Sequence, residues 1–105
     1  PAVDDFLERA RQYVSEEELA GLNRYTYVTY IGLKVLAHAM EQCGQELTRA
    51  CTVEQLRQIR DFDTQGLSGA LSFDNDEQLS GTAIAIYQLN AADQTFKALT
   101  DFVEY

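Results

Sequence analysis

At 105 residues the chain has room for one domain at most, and its 46% hydrophobic and 24% charged content is ordinary for a soluble globular protein. Seventeen acidic residues against eight Lys and Arg give a net charge of −9, a field that opposes nucleic-acid phosphates and anionic membrane surfaces. No apolar run approaches the roughly 18 residues that a membrane-spanning helix requires, there is no signal-peptide pattern, and a start at Pro1 rather than Met reads as a processed or excised chain.

The first segment, VDDFLERARQYV, spaces Val3, Phe6, Leu7, Ala10, Tyr13 and Val14 as one face of an amphipathic helix. Ser15 followed by Glu18 has the form of a capping box and restarts a short helical turn before Gly21. The next segment, YTYVTYIGLKVLAHAMEQCG, reads as a helix of about five turns ended by Gly44 in a left-handed cap. Its polar residues Lys34, His38, Glu41 and Gln45 make one narrow stripe, and the rest of the circumference is apolar or small. A surface helix needs an apolar face of only about 100°. This helix therefore wants neighbours on two or three sides, which so short a chain supplies poorly, and it reads as part of a bigger body or of an oligomer.

In LTRACTVEQLRQIRDF, Thr48 or Thr52 can cap a further helix, and Thr52 with Gln55 makes the better box. Leu56, Ile59 and Phe62 give this helix its buried edge. Cys43 and Cys51, eight positions apart, form either a short-range disulfide or two buried thiols; they lack the ligand count of a structural zinc site. If bridged, they close a loop worth roughly 2–3 kcal/mol in the chain-entropy account. After Asp63 the period changes. Gly66 and Gly69 mark a turn, ALSF is short and strand-like, and DNDEQLSG is a polar loop. TAIAIYQL alternates with both faces mostly apolar, as a strand covered on both sides does, and TFKAL is a last strand. Helices first and strands afterwards define an α+β fragment, with residues 1–105 as a single unit.

Candidate chemistry is sparse. His38, the single histidine, falls on the polar stripe, as a solvated helix residue does, and no Ser or Cys stands at a recognised spacing from it. DNDE at 74–77 resembles the start of a calcium loop but has Leu79 where the loop needs glycine. Asp61 and Asp63 lack the surroundings of an acid/base pair, and Gly66 and Gly69 do not join a strand to a helix as a phosphate cradle requires. No metal, cofactor or catalytic group is expected. Tyr25, Tyr27 and Tyr30 crowd the start of the long helix, where they suit either a small amphipathic ligand or a core.

Taken in order, YTYVTYIGLKVLAHAMEQCG, LTRACTVEQLRQIRDFDTQGL and SGALSFDNDEQLSGTAIAIYQLNAADQTFKAL resemble the C-terminal part of type I periplasmic binding proteins, specifically the branched-chain amino-acid-type solute-binding subunits of ABC importers. The likeness spans about Tyr25 to Leu99; Ala70 replaces a proline usual in the family, and family members are several times longer. It implies two α/β lobes joined by crossover strands, with an amino acid or similar small polar solute bound between them and delivered to a membrane permease in the periplasm or outside the cell. It places Tyr25 where the family has an aromatic lining the side-chain pocket, and an oxidising compartment favours the Cys43–Cys51 bridge. A cytosolic ligand-sensing regulator of the same fold is the first alternative. A free-standing dimeric interaction module is the second, with the isolated piece dimerising or swapping strands to cover TAIAIYQL.

Overall fold

A computed structural model describes residues 2–74, 81 and 83–104. They form a small α+β unit in which four α-helices precede short antiparallel strands.

Helix α1 (Ala2–Ala10) carries Asp4 and Asp5 in its first turn and Arg9 in its last, each at the end that the helix dipole favours. Phe6 is its buried residue and sits 4.9 Å from the ring centres of both Tyr27 and Tyr30. The helix is shorter than its periodicity suggests. The Ala10 carbonyl accepts from both the Tyr13 and Val14 N–H groups, the chain tightens into turns, and Tyr13 is left exposed. Helix α2 (Glu16–Ala20) starts on the capping box the sequence shows: the Ser15 hydroxyl accepts from the Glu18 N–H, and the Glu18 carboxylate accepts from the Ser15 N–H at 2.8 Å.

Helix α3 (Arg24–Cys43) is capped by Asn23, whose side-chain oxygen accepts from the Tyr25 N–H at 2.9 Å. It buries Ile31, Val35, Ala39 and Cys43, a strict i, i+4 row, and leaves Val28, Leu33, Leu36 and Met40 exposed. Gly44 ends it at φ 57°, ψ −127°. That is a positive-φ conformation suited to glycine but outside the left-handed helical basin the sequence suggests. A 3-10 turn (Gly44–Glu46) leads to helix α4 (Arg49–Arg57). The cap of α4 is Thr48 rather than Thr52. The Thr48 hydroxyl accepts from the Cys51 N–H at 3.1 Å, while the Thr52 hydroxyl donates back to the Thr48 carbonyl from inside the first turn. Helices α3 and α4 pack together and are joined by a Cys43–Cys51 disulfide with a Cα separation of 6.0 Å.

ALSF contributes isolated bridges rather than a strand: Leu71 bridges to Gly81 and also exchanges two backbone hydrogen bonds with Phe62. The bend between them is closed by Thr64, 2% exposed, whose hydroxyl donates to the Ser68 carbonyl and accepts from the Ser68 N–H. Gly69 lies flat against the next element. A Cβ there would stand 2.7 Å from that of Ala83, so only glycine fits without movement.

TAIAIYQL is not one strand. Strand β1 (Ala83–Ile84) pairs with β4 (Val103–Glu104), and β2 (Tyr87–Asn90) pairs with β3 (Thr95–Ala98). Between β1 and β2 the Ile86 N–H turns to the Thr100 hydroxyl, 3.0 Å away. The register sets Tyr87 opposite Ala98 and Leu89 opposite Phe96, with Gln88 opposite Lys97 and Asn90 opposite Thr95. Since side chains alternate across a strand, one face of the hairpin is Tyr87, Leu89, Phe96 and Ala98 and the other is wholly polar. The expectation of a strand covered on both sides is thus corrected for β2: it has a single apolar face, and that face is exposed.

The chain is spread out for its size. Its radius of gyration is 16.4 Å, against about 13 Å for a compact domain of this length. Its accessible surface is 8481 Å² at 11.8 kDa, against about 5,900 Å² for a compact monomer of that mass.

Candidate functional site

Of the concave regions beside α3 among the described residues, one is polar and aromatic and another is apolar. On one side, Phe6 of α1 wedges between Tyr27 and Tyr30, fixing the angle at which α1 crosses α3. This leaves a cleft of about 150 Å³ walled by Asp5, Phe6 and Arg9 on α1, Tyr30 and Lys34 on α3, and Gln65 from the bend. The Lys34 ammonium donates to the Gln65 side-chain oxygen and lies 5.3 Å from the centre of the Tyr30 ring, a cation–π arrangement. The cleft thus combines an aromatic wall, one fixed cation, and charges of both signs.

On the other side, α3, α4 and the bend enclose an open groove of about 470 Å³, lined among others by Val28, Val35, Leu36, Leu56, Leu71 and Phe73. It is overwhelmingly apolar. With the exposed outer residues of α3 it forms a surface that water covers only at a cost.

Of the three tyrosines, Tyr27 and Tyr30 turn to Phe6, while Tyr25 is 77% exposed in the first turn and lines neither cavity. Tyr25 is therefore not a core aromatic of this unit. Phe6, Lys34 and Gln65 were missed as cleft residues by sequence reasoning. Phe6 read as an ordinary core position of α1, and no local motif links Lys34 to a residue 31 positions away.

The polar stripe of α3 is largely solvated, with His38, Glu41 and Gln45 exposed and Lys34 half-buried. Lys34 reaches the bend, and the His38 ring meets Phe62 edge-on at 5.6 Å. Asp63 is a turn residue whose carboxylate accepts from the Gln65 N–H at 2.7 Å, and the Asp61 N–H donates to the Ser72 hydroxyl. The two do not form a site together. Arg60 pairs with Asp74, and this hydrogen bond and charge raise the guanidinium above its ordinary value. Among the described residues no group of three or more His, Cys, Asp or Glu side chains could hold a metal ion. Residues 75–80 of the polar loop, including most of the calcium-like DNDE, lie outside the described residues.

No helix among the described residues is long and apolar enough to cross a membrane. Compared with protein-family models, with curated proteins and with solved structures, the chain matches none.

Proposed function

We propose that these residues are the C-terminal segment of a branched-chain amino-acid-type solute-binding receptor of an ABC importer. The whole receptor holds an amino acid or similar small polar solute between two lobes, in the periplasm or outside the cell, and hands it to a membrane permease. The observation that carries this reading is uncovered apolar surface in two places, the outer side of α3 with its groove and the Tyr87–Leu89–Phe96 face of the hairpin. A further lobe and crossover strands cover such faces. The resemblance of residues 25–99 in order supplies the choice of receptor class. On this reading Tyr25, which is exposed at the start of α3, faces solute in the interlobe cleft. Ligand then shifts the population toward a closed form through contacts that exist only when the lobes meet.

The test is a thermal-shift screen of the product of the complete reading frame against the L-amino acids. At least one is expected to raise Tm by several degrees at a hundred times its Kd. A reading frame that encodes no further lobe, or a flat response to every amino acid and related small polar solute, contradicts the proposal.

The one-sided hairpin also favours a second reading, a dimeric interaction module, because two-stranded sheets are marginal alone. Sedimentation distinguishes the two. The module reading expects the product of the complete reading frame to be a tight dimer through the hairpin, and the receptor reading expects it to be a monomer there.

A further inference from the structure

We propose that the Cys43–Cys51 disulfide is a redox latch for α4, so that a dithiol reductant releases this one helix from α3 while the rest of the helical unit stays folded. Apart from the bridge, helix α4 is held against α3 only through half-buried side chains, Cys51, Thr52, Gln55 and Leu56. Its nine residues fall short of the roughly 12–15 at which a helix becomes even marginal in water. None of its side chains is buried, Val53 is exposed, and Leu56 only reaches the groove. Its cap, the Thr48 hydroxyl on the Cys51 N–H, sits in the same turn as the bridge and depends on the same geometry. Downstream the nearest buried anchor is Ile59, whose carbonyl accepts from the Phe73 N–H at 2.8 Å, already past the helix. Cys43, by contrast, belongs to the buried row of the 20-residue α3, with Ile31, Val35 and Ala39. The bridge therefore ties a weak helix to a strong one.

The half-buried Cys51 sulfur is the one a thiolate reaches, since Cys43 is buried. Attack forms a mixed disulfide at Cys51 and expels Cys43 as a thiolate, which takes up a proton. The second thiol of the reductant then closes its own ring and releases Cys51 as a thiol, so two electrons and two protons pass to the protein.

Hydrogen exchange of the chain before and after dithiothreitol, with reduction verified by iodoacetamide mass, tests the latch. Amides of Cys51–Arg57 are expected to exchange about 50- to 100-fold faster once the loop is opened, and those of Val35–Ala39 less than threefold faster. The Cys43→Ala/Cys51→Ala double variant should reproduce the reduced pattern without reductant. Unchanged exchange in α4 after complete reduction overturns the proposal, as does an equal acceleration of α3 and α4, which marks a staple of the whole unit rather than a latch.

Discussion

The helical and the strand portions of this chain solve burial in opposite ways. Among the described residues, the buried apolar side chains Phe6, Ile31, Val35, Ala39, Cys43 and Ile59 all belong to the helical portion. Beyond Gly81 no described residue is buried, although Ile84, Leu89 and Phe96 are as apolar as the core residues. The difference lies in what each portion can reach. Helix α3 buries an apolar row, which α4 packs against, while α1 adds Phe6 on Tyr27 and Tyr30. A two-stranded hairpin has only its own two faces, and separating apolar from polar residues across them creates a surface that nothing in the unit covers.

Substitution can break this contrast most directly. Ile31→Ala, in the helical core, should cost about 2–5 kcal/mol in chemical denaturation. Phe96→Ala, 70% exposed, should change the stability of the chain alone by no more than about 0.5 kcal/mol. Equal losses would mean the hairpin is buried in solution after all. A smaller effect is expected where the portions touch. Gly69→Ala drives a Cβ into Ala83 and should cost about 1–3 kcal/mol, and a neutral result would show that β1 is not seated there. Removing the cap of α4 by Thr48→Ala should cost about 1 kcal/mol. Thr52→Ala should cost less, because Thr52 bonds within the first turn rather than capping it.

The smallest effect is electrostatic and belongs to α2. The backbone hydrogen bond from Ser15, helped by the Ser15 hydroxyl, lowers the Glu18 carboxyl below its ordinary value of 4.5. A depressed folded pKa stabilises the charged form. This contribution is therefore fully present above pH 4.5 and is lost as pH falls through the lower, folded value. Carboxyl NMR should show the Glu18 midpoint below 4.5 in the wild-type chain and moved part of the way back toward it in Ser15→Ala, which removes the hydroxyl but keeps the backbone N–H that is the larger cause.

Much of the helical portion was legible because its signals are local. The Ser15–Glu18 box and the long apolar run of α3 need only neighbours within a turn or two. Asn23 as the cap of α3 was within reach of the same logic, since Asn is among the strongest capping residues. The preference for Thr52 over Thr48 failed because a Thr–x–x–Gln pattern cannot show that Thr52 is already inside the helix, bonded to Thr48. The strand portion failed for a different reason. Alternation gives the faces of TAIAIYQL but not the break at Ala85–Ile86, which is set by Thr100, fourteen residues beyond Ile86. The α1–α3 cleft was equally out of reach, because Asp5, Lys34 and Gln65 meet only through the packing of Phe6 on Tyr27 and Tyr30.

The proposed function requires the hairpin's apolar face to be covered by another part of the whole protein. Hydrogen exchange at Tyr87–Asn90 and Thr95–Ala98, compared between this chain alone and the product of the complete reading frame, tests it most directly. The account predicts near-unprotected exchange alone and protection of at least a hundredfold in the whole protein. Equal exchange in the two would contradict it.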